Sequence, residues 1–151
     1  MRVSVIGGGR ITDEQAETAE GVGRELGARG HVVVCGGRGG TMAAVCRGAK
    51  AEGGTTIGIL PGERRSEAND FVDVPIATGL GHARNALVPM NGDAVIALAG
   101  GHGTLSEIGF AGIYGRPVVG LGAPDLRNLD LEVTVAETPA EAVDAVEAAL
   151  E

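Results

Sequence analysis

Tryptophan is absent and aromatic residues make up only 2% of the 151-residue chain, one tyrosine and two phenylalanines. A core of this size must therefore be filled by Val, Ile, Leu and Ala, the side chains that pack strands against helices in layered α/β folds. Lysine is almost missing too, with Lys50 its one representative among twelve basic residues. Positive charge is in deficit, for the net formal charge is −8. Nucleic-acid affinity comes largely from Lys and Arg releasing counterions from phosphates, so no DNA or RNA partner is expected. Cys35 and Cys46 stand without CxxC spacing and without a histidine cluster, and neither a disulfide nor a metal site is expected. No apolar run reaches the roughly 18 residues of a membrane span, and the N-terminus shows no long apolar stretch before a cleavage site. The expectation is a cytoplasmic protein that does not engage membranes.

What is present alternates strand and helix. Arg2 to Ile6 is a short β-branched run ended by Gly7, Gly8 and Gly9, and Thr12 with Asp13 and Glu14 reads as a helix N-cap with acids in the first turn. Ala16, Ala19, Val22, Gly23 and Leu26 recur at helical spacing, Gly30 stops the helix, and His31 to Val34 is the second strand. The pattern repeats through the glycine turn 36–41, a helix past Met42, Val45 and Ala49, and a strand from Thr55 to Leu60. The polar stretch Pro61 to Phe71 is a loop. A strand near Val72 to Ile76, a helix from Gly81 to Met90 and an apolar strand from Asp93 to Ala99 follow. A helix through Ile108, Phe110 and Ile113 ends at Arg116 and Pro117. Val118 to Leu121 and Glu132 to Val135 are further strands, and Pro139 opens a closing amphipathic helix. Strands separated by helices imply right-handed crossovers, hence one Rossmann-like domain over 1–151 with a doubly wound, mainly parallel sheet.

In such a sheet ligands sit beyond the carboxyl ends of the strands, where the glycine-rich turns fall. Glycines between a strand and a helix let backbone N–H groups converge on an anion, and the helix dipole adds about 0.3–1 kcal/mol. Two turns are built alike. Gly36, Gly37, Gly39 and Gly40 precede Thr41, while Gly100, Gly101 and Gly103 precede Thr104, each threonine free to cap its helix or to donate to a phosphate oxygen. A Walker-A loop needs Gly-Lys-Ser/Thr, which the lone Lys50 does not supply. A dinucleotide fingerprint needs G-x-G-x-x-G after the first strand and an acid after the second; the segment 7–12 breaks the former and Cys35 stands at the latter position, leaving NAD a weak alternative. A pyridoxal enzyme needs a lysine beside the phosphate cup, and Lys50 lies about three helical turns beyond it.

GGRGGTMAAVCRGAKAEGGTTIGILP at 36–61, TGLGHARN at 78–85 and GGHGTLSE at 100–107 resemble the Lonely Guy nucleotide-binding superfamily, which includes the Rossmann-like part of DNA-processing protein A. Within it the chain is most similar to a branch of small proteins that includes molybdenum cofactor carriers. The resemblance implies a phosphoribohydrolase that cleaves the N-glycosidic bond of nucleoside 5′-monophosphates, or a non-catalytic carrier or sensor of a phosphate-bearing ligand. It also implies a homodimer or homotetramer. The phosphate motif of the enzymes, Pro-Gly-Gly-x-Gly-Thr-x-x-Glu, is matched by Gly100, Gly101, Gly103, Thr104 and Glu107, with Ala99 in place of the proline. Their Arg-Lys pair is matched by Arg84, with Asn85 in place of the lysine.

Arg84 and Glu107 are thus the candidate catalytic pair, the arginine as a bidentate phosphate clamp and the glutamate, placed in the first turn of its helix, near the ribose. The candidate ligand-binding residues are Gly8, Gly36, Gly37, Gly39, Gly40, Thr41, Asn85, Gly100, Gly101, His102, Gly103 and Thr104, with no cofactor and no metal. His102 lines the pocket in this reading, His82 is a turn residue and His31 a solvated strand start. Arg38 adds charge near the phosphate, and Arg64 and Arg65 belong to a solvated loop. Leu105, Ile108, Phe110 and Ile113 carry more apolar surface than one flank of a small sheet covers, which points to self-association.

Overall fold

The computed structural model describes residues 1–151. Seven strands form one parallel sheet: β1 (Arg2–Ile6), β2 (Val32–Cys35), β3 (Thr55–Leu60), β4 (Val74–Ala77), β5 (Ala94–Ala97), β6 (Val118–Leu121) and β7 (Val133–Ala136). Their order is β4-β3-β2-β1-β5-β6-β7, and every pairing is parallel. Five helices accompany them: α1 (Asp13–Ala28), α2 (Thr41–Ala51), α3 (Leu87–Met90), α4 (His102–Ile113) and α5 (Pro139–Ala149). This is a Rossmann-like α/β fold.

Strand alternation sorts the core into two layers. Val3 and Val5 of β1 join the cluster with Val22, Leu26, Val45 and Val143 beneath α1, α2 and α5, while Ile6 faces the opposite layer with Val34, Val95, Val88 and Ile108. Burying one such side chain is worth about 1.5–3 kcal/mol, so the small aliphatic core needs no aromatic anchor. Ser4 is the polar intruder in β1, and its buried Oγ donates to the Val88 carbonyl at 2.6 Å. Helices α1 and α2 meet backbone to backbone: a Cβ on Gly23 would overlap the Val45 carbonyl oxygen, and one on Gly48 the Glu20 carbonyl oxygen.

Several expected boundaries shift for local reasons. The second strand starts at Val32, since the His31 ring turns to Glu147 of α5 at 2.6 Å and is not solvated. The fourth runs Val74–Ala77, two residues after the expected start, because the Asp73 carboxylate caps the edge at Thr56 N and binds Lys50. The helix expected over 81–90 is a 3-10 segment, Gly81–Ala86, followed by the single turn of α3. The polar loop 61–71 holds one 3-10 turn, Arg65–Glu67. Asp93 precedes β5, its carboxylate accepting from Arg2 N at 2.8 Å.

The chain winds outward from β1 through β2, β3 and β4, then returns to β5 on the other side of β1. The segments after β1 and β5 consequently diverge to opposite faces, opening a crevice above their carboxyl ends. The loss of Lys50 as a candidate for chemistry is explained in the same frame: near the end of α2, its Nζ bonds Gly54 O at 3.0 Å and the Asp73 carboxylate at 2.9 Å.

Candidate functional site

Above the β1–β5 divergence lies a cavity of about 200 Å³ lined by Gly7, Gly8 and Gly9 after β1, Gly36 after β2, His82, Arg84 and Asn85 of the 3-10 segment, and Gly101, Gly103, Thr104 and Glu107 at the head of α4. Val5, Ile6 and Met42 supply its few apolar contacts. Three turns and one 3-10 segment converge here because the sheet order brings the ends of β2, β1 and β5 side by side.

Arg84 is held from the protein side. Its Nη1 donates to Gly36 O at 2.6 Å and to Ile59 O at 2.7 Å, tying the 3-10 segment to the ends of β2 and β3. Its Nε is buried without a hydrogen-bond partner. Burial lowers the pKa of this guanidinium, which still stays cationic, and the neighbouring Glu107 partly restores it. Gly36 is required by this contact, since a Cβ there would run into Arg84 Nη1 and lie 2.7 Å from Met42 Sδ.

Glu107 occupies the sixth position of α4, in its second turn and not its first, so the helix dipole acts on it weakly. Burial instead dominates and pushes its carboxyl up to about 8, with Arg84 pulling in the opposite direction. The shift favours the protonated form, in which the carboxyl can donate a hydrogen bond as well as accept one. Asn85 is buried, its Nδ2 donating to Ser106 Oγ at 3.2 Å, and that hydroxyl donates to Gly103 O at 2.6 Å. The amide in the place of the family lysine thus braces the start of α4.

The two glycine turns differ. At the head of α4, Gly101, Gly103 and Thr104 face the cavity, while Gly100 lies under the Thr104 side chain and lines the adjoining chamber. In the turn before α2 only Gly36 faces the cavity. Gly37 has φ +79° and backs onto Gly58 of β3; Gly40 has φ +63°, and a Cβ there would overlap the Gly8 and Gly9 backbone. Gly39 is exposed and does not line the cavity. Thr41 is buried over Gly7, its N–H donating to Gly8 O at 3.0 Å, so it locks the first turn to the second without reaching the cavity. Neither Thr41 nor Thr104 caps its helix through its side chain.

The histidines exchange places relative to the sequence reading. His82 lines the cavity, whereas His102 is the exposed first residue of α4 and does not. Gly7 and Gly9 also join the lining, although the reading named Gly8 alone in that turn. Arg38 is half-exposed against Glu67, and Arg64 pairs with the same carboxylate. No group of three or more His, Cys, Asp or Glu side chains is arranged to hold a metal ion. No helix is long and apolar enough to cross a membrane.

The chain is similar in fold and sequence to several known proteins. A solved structure of a molybdenum cofactor binding protein from Rippkaea orientalis superposes with a TM-score of 0.93 at 34% identity, covering 99% of this chain and 97% of that one. The molybdenum cofactor carrier protein from Chlamydomonas reinhardtii superposes with a TM-score of 0.91 at 36% identity, covering 99% and 97%. A cytokinin riboside 5′-monophosphate phosphoribohydrolase from Mycobacterium tuberculosis is 35% identical over 70% of this chain, which spans 62% of that enzyme's length. Residues 1–149 match the SLOG cluster4 family, and the chain belongs to it.

Proposed function

We propose that this protein binds and holds a phosphate-bearing small molecule, in the manner of a molybdenum cofactor carrier, without turning it over. The observation that carries the reading is the anchoring of the 3-10 segment: Arg84 is pinned by two main-chain carbonyls, and Asn85, standing where the resembled enzymes have lysine, is bonded to Ser106. A phosphate end fits the backbone turns at Gly101 and Gly103 beside a buried cation, the combination that stabilises an anion without needing an extended basic surface. The similarity to the carriers runs along nearly the whole chain, whereas that to the hydrolase covers a part.

The test is to mix the purified protein with molybdenum cofactor freshly released from a molybdoenzyme, separate by gel filtration, and assay molybdenum and oxidised pterin fluorescence in the protein fraction. Stoichiometric co-elution supports the carrier reading, and loss of both signals to the small-molecule fraction refutes it.

One feature favours a second reading, phosphoribohydrolysis. A carboxyl with a pKa of about 8 in a cavity beside a fixed cation is suited to proton transfer near neutral pH, and N-glycosidic cleavage gains from a group that stabilises or protonates the departing fragments. Incubation with a panel of nucleoside 5′-monophosphates, followed by chromatography for free base, decides it. Absence of base from wild-type protein and from Asn85→Lys alike eliminates hydrolysis.

A further inference from the structure

The chamber beside Arg84, at about 200 Å³, is smaller than the roughly 300–1,000 Å³ of sites that enclose a whole small organic ligand. It takes a phosphate and little more. Its rim, however, is shared. Gly8, Gly9 and Gly101 also line a neighbouring chamber of about 390 Å³ with Arg10, Gln15, Ala99 and Gly100. Gln15 and Ala99 in turn belong to a third chamber of about 520 Å³, walled by Thr12, Thr18, Leu98, Leu121, Glu137 and Pro139 among others. The three chambers follow one another across the top of the sheet at the β1–β5 divergence, each sharing wall residues with the next, from the α4 face to the face of α1 and α5. The saddle between them is glycine backbone floored by the Gly8 N–H bond to Ala99 O at 2.8 Å, and a Cβ at Gly9 or Gly101 would meet nothing within 4 Å, so both glycines face open space above it.

Resting on the phosphate-binding reading, we infer that the ligand is two-ended, with its phosphate in the Arg84 chamber and its ring system carried over the glycine saddle into the Thr18–Glu137 chamber. The chemistry of the far chamber selects the ring. It holds no basic side chain, and its charged lining residues are Glu14 and Glu137, both exposed at its rim. Neither carboxylate is engaged in an ion pair or accepts from another side chain, although Glu137 N itself donates to Glu141 at 2.9 Å. Thr12 and Gln15 consume part of their capacity in a reciprocal capping box, which leaves the Gln15 amide nitrogen and the threonine hydroxyls to serve a ligand. Leu98, Leu121 and Pro139 give the flat apolar contact that a ring face needs. A second phosphate is repelled here. A planar heterocycle that presents adjacent N–H and NH₂ donors, as a 2-amino-4-oxo pyrimidine edge does in guanine or a pterin, satisfies one carboxylate with two parallel hydrogen bonds. An adenine edge cannot form that pair.

Titration calorimetry with inorganic phosphate, ribose 5-phosphate, AMP and GMP tests this on wild-type protein and two variants. Thr18→Trp fills the far chamber from α1, where the Thr18 hydroxyl makes only an intrahelical bond to Glu14 O. Glu137→Gln removes charge at constant size. GMP is expected to bind wild-type protein at least tenfold more tightly than ribose 5-phosphate. Thr18→Trp should erase that difference while leaving phosphate and ribose 5-phosphate within twofold of wild type, and Glu137→Gln should cut the preference for GMP over AMP by fivefold or more. If ribose 5-phosphate binds and GMP gains nothing over it, or if Thr18→Trp leaves the gain intact, the ring lies elsewhere and this inference fails while the phosphate assignment stands. Should Thr18→Trp not fold, an unchanged GMP-to-AMP ratio in Glu137→Gln overturns it. If phosphate and ribose 5-phosphate fail to bind at all, the phosphate reading falls and takes the inference with it.

Discussion

Arg84 donates to the Gly36 carbonyl at 2.6 Å, and not to the Glu107 carboxyl that shares its cavity. The two groups sense each other electrostatically without forming a contact ion pair, so each keeps hydrogen-bonding capacity turned to the space between them. A phosphate entering that space would meet a cation already oriented and a carboxyl whose burial disfavours ionisation.

Affinity for phosphate should therefore depend on pH in a particular sense. Glu107 in the folded protein titrates near 8, and above that value a carboxylate faces the bound anion. Inorganic phosphate affinity, measured by calorimetry from about pH 6.5 to 9.5, is expected to fall relative to that of Glu107→Gln as pH rises through about 8, the mutant reporting the change due to phosphate's own ionisation. A fall of equal size in both proteins would place the titrating group elsewhere.

The same shift makes a statement about stability. A carboxyl raised from its ordinary 4.5 to about 8 holds its proton more tightly folded than unfolded, so its contribution is complete below about 4.5 and is lost as pH climbs toward 8. At pH 9 Glu107→Gln should consequently be more stable than wild type, by on the order of 1–3 kcal/mol once partial exposure is discounted, and the gain should vanish near pH 5. Denaturant melts at the two pH values check it; equal differences at both would remove the buried-carboxyl account.

Arg84→Ala strips two carbonyls of their donor and the cavity of its cation. Losing a charge-assisted hydrogen bond costs about 1.5–3 kcal/mol, so phosphate affinity should drop by roughly 10- to 100-fold. Arg84→Lys should recover little, because an ammonium cannot present the guanidinium's fork. Full recovery by lysine, read in the same calorimetry, would reduce Arg84 to a point charge.

Gly103→Val separates cradle from scaffold. A Cβ at Gly103 finds its nearest neighbour, Asn85 Nδ2, at an ordinary 3.6 Å, so the fold should persist while the added methyls crowd the backbone N–H groups of the α4 head. Thermal shift by nucleoside monophosphates should disappear, with the unliganded melting temperature changed by only a few degrees. Retention of the ligand shift would move the phosphate away from α4.

Self-association is the remaining expectation, and α4 localises it. Ile113 is 75% exposed and Leu105 42%, near the stacked pair Phe110 and Tyr114, while Ile108 is spent in the core. Light scattering at micromolar concentration should report a dimer or tetramer for wild type and a smaller species for Ile113→Asp. A wild-type monomer would contradict it.

The strand ladder and the edge that carries the site were legible because both follow from spacing: apolar runs broken by helices fix the winding, and winding puts every βα turn at one edge. Which glycines of a turn line the cavity was not legible. Gly37 and Gly40 share their residue type with Gly36, yet they serve β3 and the β1 turn, contacts made across the sheet by residues far apart in sequence. The histidine exchange has a similar origin. Whether His102 or His82 meets the cavity depends on where α4 begins and on a 3-10 segment whose pitch differs from the helix expected over 81–90, and a shift of one residue on a helix turns a side chain by about 100°. Glu107 could be read as a site residue, but its protonation comes from burial, which only the packed structure supplies.

The backbone-to-backbone packing of α1 on α2 gives the crevice one stiff jaw and one compliant one. With Gly23 against the Val45 carbonyl, Gly48 against that of Glu20, and Thr41 N bonded to Gly8 O, the turns after β1 and β2 cannot shift separately without forcing main-chain atoms into overlap. The opposite jaw, Gly81–Ala86, is a 3-10 segment, a geometry with poorer internal hydrogen bonds, and it is tied down chiefly through the Arg84 and Asn85 side chains. Any adjustment of the crevice therefore falls to the jaw that carries His82, Arg84 and Asn85, with the Arg84 bonds to Gly36 and Ile59 as its main restraint.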